Sequence, residues 1–117
     1  MKKNTPVILI FLSTLLCSCA PKALYSFYDY DNMSYKFLKN QDDKTIEDFM
    51  KCYQQIINKQ KGARNIVPPG VYADYGFFLY QKGENKEAIE MLNKEISFYP
   101  ESKPFIGRII KMIKDEK

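Results

Sequence analysis

The chain has no histidine and no tryptophan, and its 117 residues include only three cysteines, five glycines and six prolines. Without an imidazole there is no histidine-ligated metal site, no Ser-His pair and no Cys-His pair. The commonest routes to zinc chemistry and nucleophilic hydrolysis are therefore closed. The glycines do not form a phosphate-cradling loop, because Gly70 and Gly76 lie six apart and no Gly-Lys-Ser/Thr follows them. Nor do the carboxylates pair as a cleft acid and base for glycoside hydrolysis. Asp42-Asp43 reads as an exposed turn, and Glu84, Glu87 and Glu90 share one solvated helix face. The expectation is a non-enzyme with no metal and no cofactor. The formal charge of +4 includes Lys2 and Lys3 at the extreme N-terminus. What remains is no concentrated basic face, so nucleic acid is not an expected partner.

Long apolar runs are also scarce. The one present, Pro6 to Leu16, follows the cationic Met1-Lys2-Lys3 and is too short to span a bilayer. It closes on Leu16-Cys17-Ser18-Cys19-Ala20. A leucine, two small residues and a cysteine at the end of such a run resemble the lipobox of bacterial lipoproteins. The resemblance implies a signal peptide over 1–18, removed before Cys19, and acyl chains, palmitate among them, on Cys19 as the new N-terminus. Ala20, in place of an aspartate, resembles the pattern that sorts lipoproteins to the outer membrane, here on its periplasmic side. The mature chain would keep 99 residues, with 16 basic side chains against 14 acidic ones, and that length makes one small domain. Cysteine arithmetic then excludes an internal disulfide, since Cys17 leaves with the signal, Cys19 carries lipid and Cys52 has no mate. The core must hold the domain together, and nine tyrosines and seven of the eight phenylalanines, Phe11 leaving with the signal, supply it.

Beyond a tether over 19–27, a helical domain over 28–117 is expected. A short helix over about 30–39 places Tyr28, Asn32, Tyr35 and Leu38 near helical spacing. Over 45–61, Ile46, Phe49, Met50, Tyr53, Ile56 and Ile57 form an apolar stripe. Thr45 serves as N-cap of that helix and Gly62 as its stop. Cys52 flanks the stripe as a small hydrophobe. Pro68-Pro69-Gly70 breaks the chain before a helix over 71–81 that is apolar nearly all round, which calls for neighbours on both sides. A helix over 86–99 ends at Pro100, and a last one over 103–114, capped by Ser102, turns Phe105, Ile106, Ile109, Ile110 and Ile113 inward. No segment reads as a strand.

The pair of helices around Gly83 resembles a tetratricopeptide repeat counted from Pro69. Gly76 then falls at position 8, Leu79 at 11, Gly83 at 15, Ala88 at 20, Leu92 at 24 and Pro100 at 32. Small residues at Gly76 and Ala88 let two backbones cross closely. Gly83 turns the chain, Leu79 and Leu92 fill the seam, and Pro100 stops the second helix. Two positions depart from the pattern: Glu95 stands at position 27 where a small residue is usual, and Tyr72 at position 4 where an indole is common. One repeat cannot bury its own core, so the flanking helices must cover it. The expected architecture is all-α, a short TPR-like stack of about five helices.

The string Pro68 to Gly76, the Tyr25/Tyr28/Tyr30/Tyr35 lead-in and the ending Tyr99-Pro100-Glu101-Ser102 are similar to a family of small Gram-negative lipoproteins of unassigned function. Its members tend to be encoded beside another small lipoprotein and one of the CsgG/HfaB pore-forming type. The resemblance implies a three-component outer-membrane assembly. First helices of repeat stacks face a groove, which nominates Tyr72, Asp74, Tyr75, Phe78 and Tyr80, with Leu79 beside them, as a partner-binding surface; Tyr buries area yet keeps a polar tip. The expected function is a lipid-anchored adaptor or accessory subunit that docks other envelope lipoproteins. The alternative is a structural envelope lipoprotein that binds peptidoglycan or stabilises the outer membrane.

Overall fold

The computed structural model describes residues 20–116, so the signal segment and Cys19 lie outside the described residues. Five α-helices follow one another: α1 (Tyr30–Lys39), α2 (Asp43–Asn58), α3 (Val71–Gln81), α4 (Asn85–Phe98) and α5 (Lys103–Asp115), with a 3-10 turn at Pro100–Ser102. There is no strand among the described residues, and the all-α, five-helix expectation holds. Each helix packs on its neighbours in the chain, α3 and α4 most extensively. No described helix is long and apolar enough to cross a membrane.

One core runs through the stack. Phe49, Met50, Tyr53 and Ile56 from α2 join Val71, Tyr72, Tyr75 and Leu79 from α3, Ala88 and Leu92 from α4, and Ile106, Ile110 and Ile113 from α5. Cys52 is buried in it, and burial pushes its thiol above the ordinary range.

Several boundaries and faces differ from expectation for identifiable reasons. Helix α2 starts at Asp43 because Asp42, not Thr45, is the N-cap: its carboxylate accepts from Thr45 N–H at 2.7 Å. The Thr45 hydroxyl first, and this N–H second, lower the Asp42 carboxyl below its usual range. The helix ends at Asn58 instead of near Lys61 because the next residues bind the N-terminal lead-in. Ala63 N–H donates to Ala23 O at 2.9 Å and Arg64 N–H to Leu24 O at 3.1 Å. The Gln60 side chain accepts from Ser26 N–H and donates to Ser26 O. Residues 23–26, within the expected tether, are thus docked on the domain.

Tyr28 has a positive φ of 52° and sits in the turn before α1, not on its stripe. The inward side of α1 is Tyr30, Met33 and Phe37, while Tyr35 and Leu38 point to solvent. The reason is aromatic partners: Phe37 meets Phe49 at 5.3 Å and Phe78 at 5.4 Å between ring centroids. Ser102 is already helical, and its hydroxyl donates to Tyr99 O instead of capping α5. Phe105, expected inward, is 68% exposed. The stripe Ile106, Ile110 and Ile113 takes the seam with α4, and Phe105 lies one helical step aside, where no described helix follows.

The α3–α4 hairpin is closed by a left-handed Gly83 at φ 81°, with Gly83 N–H donating to Tyr80 O and Glu84 N–H to Leu79 O, a Schellman turn. At the crossing, a Cβ on Gly76 would stand 3.0 Å from Ala88 O and 3.2 Å from both Leu92 Cγ and Met91 Cβ. Leu79 and Leu92 are buried in the seam, and Pro100 is the first residue of the 3-10 turn.

Glu95, the departure at position 27, is 3% exposed. Its Oε1 accepts from Gly70 N–H at 2.7 Å, and Oε2 has no hydrogen-bond partner among the described residues. Gly70, at φ 87°, is the N-cap of α3 and has no side chain to cap with. Glu95 therefore supplies from α4 an acceptor for the N–H of the N-cap residue itself, and places its carboxylate at the positive end of the α3 dipole. Glu95→Ala is expected to lower stability by about 1–3 kcal/mol by orphaning the Gly70 N–H. Glu95→Gln keeps an acceptor and should fall between it and wild type in thermal melts.

Candidate interaction site

Helices α1, α2 and α3 converge on an aromatic cleft of about 310 Å³. Each helix contributes one face. Tyr30, Ser34, Phe37 and Leu38 come from α1, Phe49 and Tyr53 from α2, and Asp74, Phe77 and Phe78 from α3. The rings pack on one another, with centroids 4.8 Å apart for Phe49–Tyr53, 5.7 Å for Tyr30–Tyr53 and 5.6 Å for Phe49–Phe78. These edge and tilted contacts hold the walls in place, each worth about 0.5–1.5 kcal/mol beyond the area buried.

A short polar chain crosses the aromatic wall. The Tyr53 hydroxyl donates to Asp74 Oδ2 at 3.4 Å and lies 3.5 Å from the Tyr30 hydroxyl. Because Tyr53 spends its proton on Asp74, Tyr30 is the donor in the second contact. Burial, reinforced by the neighbouring Asp74 charge, pushes the Tyr53 phenol far above its ordinary range. The Asp74 carboxyl is also raised, by desolvation against the rings, with the Tyr53 bond opposing. Asp74 forms no ion pair among the described residues, whose pairs are Lys51 with Glu47 and Asp48, and Lys82 with Glu84. Among the described residues it is the only charged side chain lining the cleft.

Of the nominated residues, only Asp74 and Phe78 line this cleft. Tyr72 is buried on the opposite side of α3, stacked on Phe98 at 5.6 Å with the Lys94 ammonium 5.9 Å from its ring centroid. Tyr75 is buried toward α2, where its hydroxyl accepts from Gln54 Nε2 at 2.7 Å. Tyr80 is half-buried and donates to Glu116 at 2.5 Å. These three rings are spent on the domain's own packing, because α3 lies between α2 and α4 and both seams take aromatics. The sequence reading missed Phe77, which is 44% exposed at the cleft rim, and the wall that α1 and α2 provide. A usable signal was present: Asp74, Phe77 and Phe78 lie at i, i+3 and i+4, an arc distinct from that of Tyr72, Tyr75 and Leu79. No group of three or more potential metal ligands is clustered among the described residues.

The family described as a domain of unknown function, DUF4810, matches residues 24–109, from the docked lead-in through most of α5. The chain belongs to the DUF4810 family. No curated protein and no solved structure matches the chain. Every residue that lines the cleft falls within the DUF4810 match.

Proposed function

We propose that this DUF4810 protein is a lipid-anchored, periplasm-facing protein-interaction module, an accessory subunit of an outer-membrane lipoprotein assembly. Its α3–α4 hairpin serves as a single TPR-like repeat, and the α1–α2–α3 cleft is the docking surface. The observation that carries the reading is the cleft itself, an aromatic concavity with Leu38 75% exposed and Phe77 44% exposed along its rim. Exposed aromatic and aliphatic side chains around a concave site are what a partner's anchor residues fill. The lipobox-like Leu16-Cys17-Ser18-Cys19 supports the anchor, since two or three acyl chains pass the two-signal threshold for stable attachment. The partners are other envelope lipoproteins, with a CsgG/HfaB-type component first among them.

The test is crosslinking in intact cells followed by recovery of the protein from membrane fractions. Phe77→Ala, half exposed and outside the core, should retain its melting midpoint and lose a crosslinked membrane partner. Cys19→Ser should block acylation and processing and release the protein from the outer-membrane fraction. Partner recovery unchanged in Phe77→Ala would remove the docking surface from this cleft. An acylated mature species of unchanged mass from Cys19→Ser would remove the anchor.

A further inference from the structure

The proposed docking surface has a chemistry of its own. Its walls are the faces and edges of phenylalanine and tyrosine rings, and among the described residues its single charge is the Asp74 carboxylate. Among the described residues no lysine or arginine lines it, so no cationic side chain there would hold a phosphate or a carboxylate. The Asp74 side chain is exposed at the cleft, with one carboxylate oxygen engaged by Tyr53 and no counter-charge within ion-pair distance among the described residues. An unpaired carboxylate flanked by aromatic rings is complementary to a cation that stacks as well as pairs.

Resting on the reading of this cleft as the docking surface, we infer that it seats an arginine side chain of the partner protein, with the guanidinium stacked against the Phe77–Phe78 side and paired with Asp74. Guanidinium is planar and weakly hydrated, and it donates in a fork, so it satisfies ring and carboxylate together. The rim decides between a polypeptide and a free small cation. Leu38 and Phe77 extend apolar surface beyond the reach of a single cationic group, and the backbone and neighbouring side chains of a partner segment would cover it. Tyr53 acts as a positioning residue: its hydroxyl, itself accepting from Tyr30, fixes the Asp74 carboxylate and leaves the other oxygen for the guest.

The probe is Nα-acetyl-argininamide, compared with its neutral isostere Nα-acetyl-citrullinamide. Each is titrated against the full lipidated protein in detergent while the ring signals of Phe77, Phe78 and Tyr53 are followed by NMR. The arginine derivative should shift these signals saturably, and the citrulline derivative should bind at least about tenfold more weakly. Asp74→Asn should reduce the arginine derivative to the level of the citrulline one. Equal binding of the two derivatives, or no shift from either, overturns the inference in the wild-type protein alone, whatever the fold of the variant. Crosslinking in cells separates this inference from the reading beneath it. Loss of the partner in Phe77→Ala with retention in Asp74→Asn would leave the docking surface standing and overturn the arginine. Retention in both would overturn both.

Discussion

Replacing Gly76 with leucine is expected to cost the mature domain about 3 kcal/mol, at the top of the range for overpacking a well-filled site. The nearest obstacle is backbone: Ala88 O lies 3.0 Å from where the first added carbon would stand, and Leu92 and Met91 close the other sides. A flexible side chain can swing away, but a helix backbone yields only if α4 moves, and α4 is also tied to α5 and, through Glu95, to the start of α3. Gly107→Ala is the internal control. Gly107 lies inside α5 with open space around its missing side chain, so alanine there should raise stability by about 0.5–1 kcal/mol. Thermal melts of the two variants should move in opposite directions. A Gly76→Leu midpoint equal to wild type would mean that the two helices do not cross closely at that point.

Ile56→Ala is expected to be at least as damaging, at about 2–5 kcal/mol. Ile56 is completely buried on α2, the helix that covers the open side of the α3–α4 hairpin. A single helical hairpin cannot bury its own apolar faces, so a cavity under the cover should melt the whole domain at once. In a domain of this size each kcal/mol is worth about 4–8 °C of melting midpoint. The transition should stay single and shift downward. A variant that loses only the α1–α2 signal, with α3–α5 melting at the wild-type temperature, would show the cover to be a separate unit.

Helix number and order were legible because periodic apolar spacing and a few chain-breaking residues carry most of that information. Gly83 in its left-handed turn and Pro68-Pro69-Gly70 before α3 mark boundaries that local chemistry sets unaided. The orientation of ambiguous faces was not legible. Tyr28, Tyr35 and Leu38 have helical spacing, yet Tyr30, Met33 and Phe37 face inward, because Phe49 and Phe78 offer rings to pack against and that offer comes from distant segments. The same limit governs the candidate site. On a helix as uniformly apolar as α3, periodicity does not say which ring is core and which is rim. Only the positions of α2 and α4 bury Tyr72 and Tyr75 and leave Phe77 at the cleft. Asp74 was visible as the one acidic residue of that helix, whereas its surroundings, built by Tyr30 and Tyr53, were not. Glu95 read as a flaw in a repeat pattern, and it became intelligible only once its carboxylate was found on the Gly70 N–H.

The docking of residues 23–26 against the loop after α2 sets a leash length. With Cys19 acylated as proposed, only four residues of chain separate the lipid from Ala23, whose carbonyl is already bonded to the domain at Ala63. Fully stretched, four residues reach about 14 Å. The domain would then ride against the lipid headgroups rather than sweep the periplasmic gap. Its cleft would be offered sideways, to partners held in or close to the same leaflet, and proteins standing farther off would have to reach down to it.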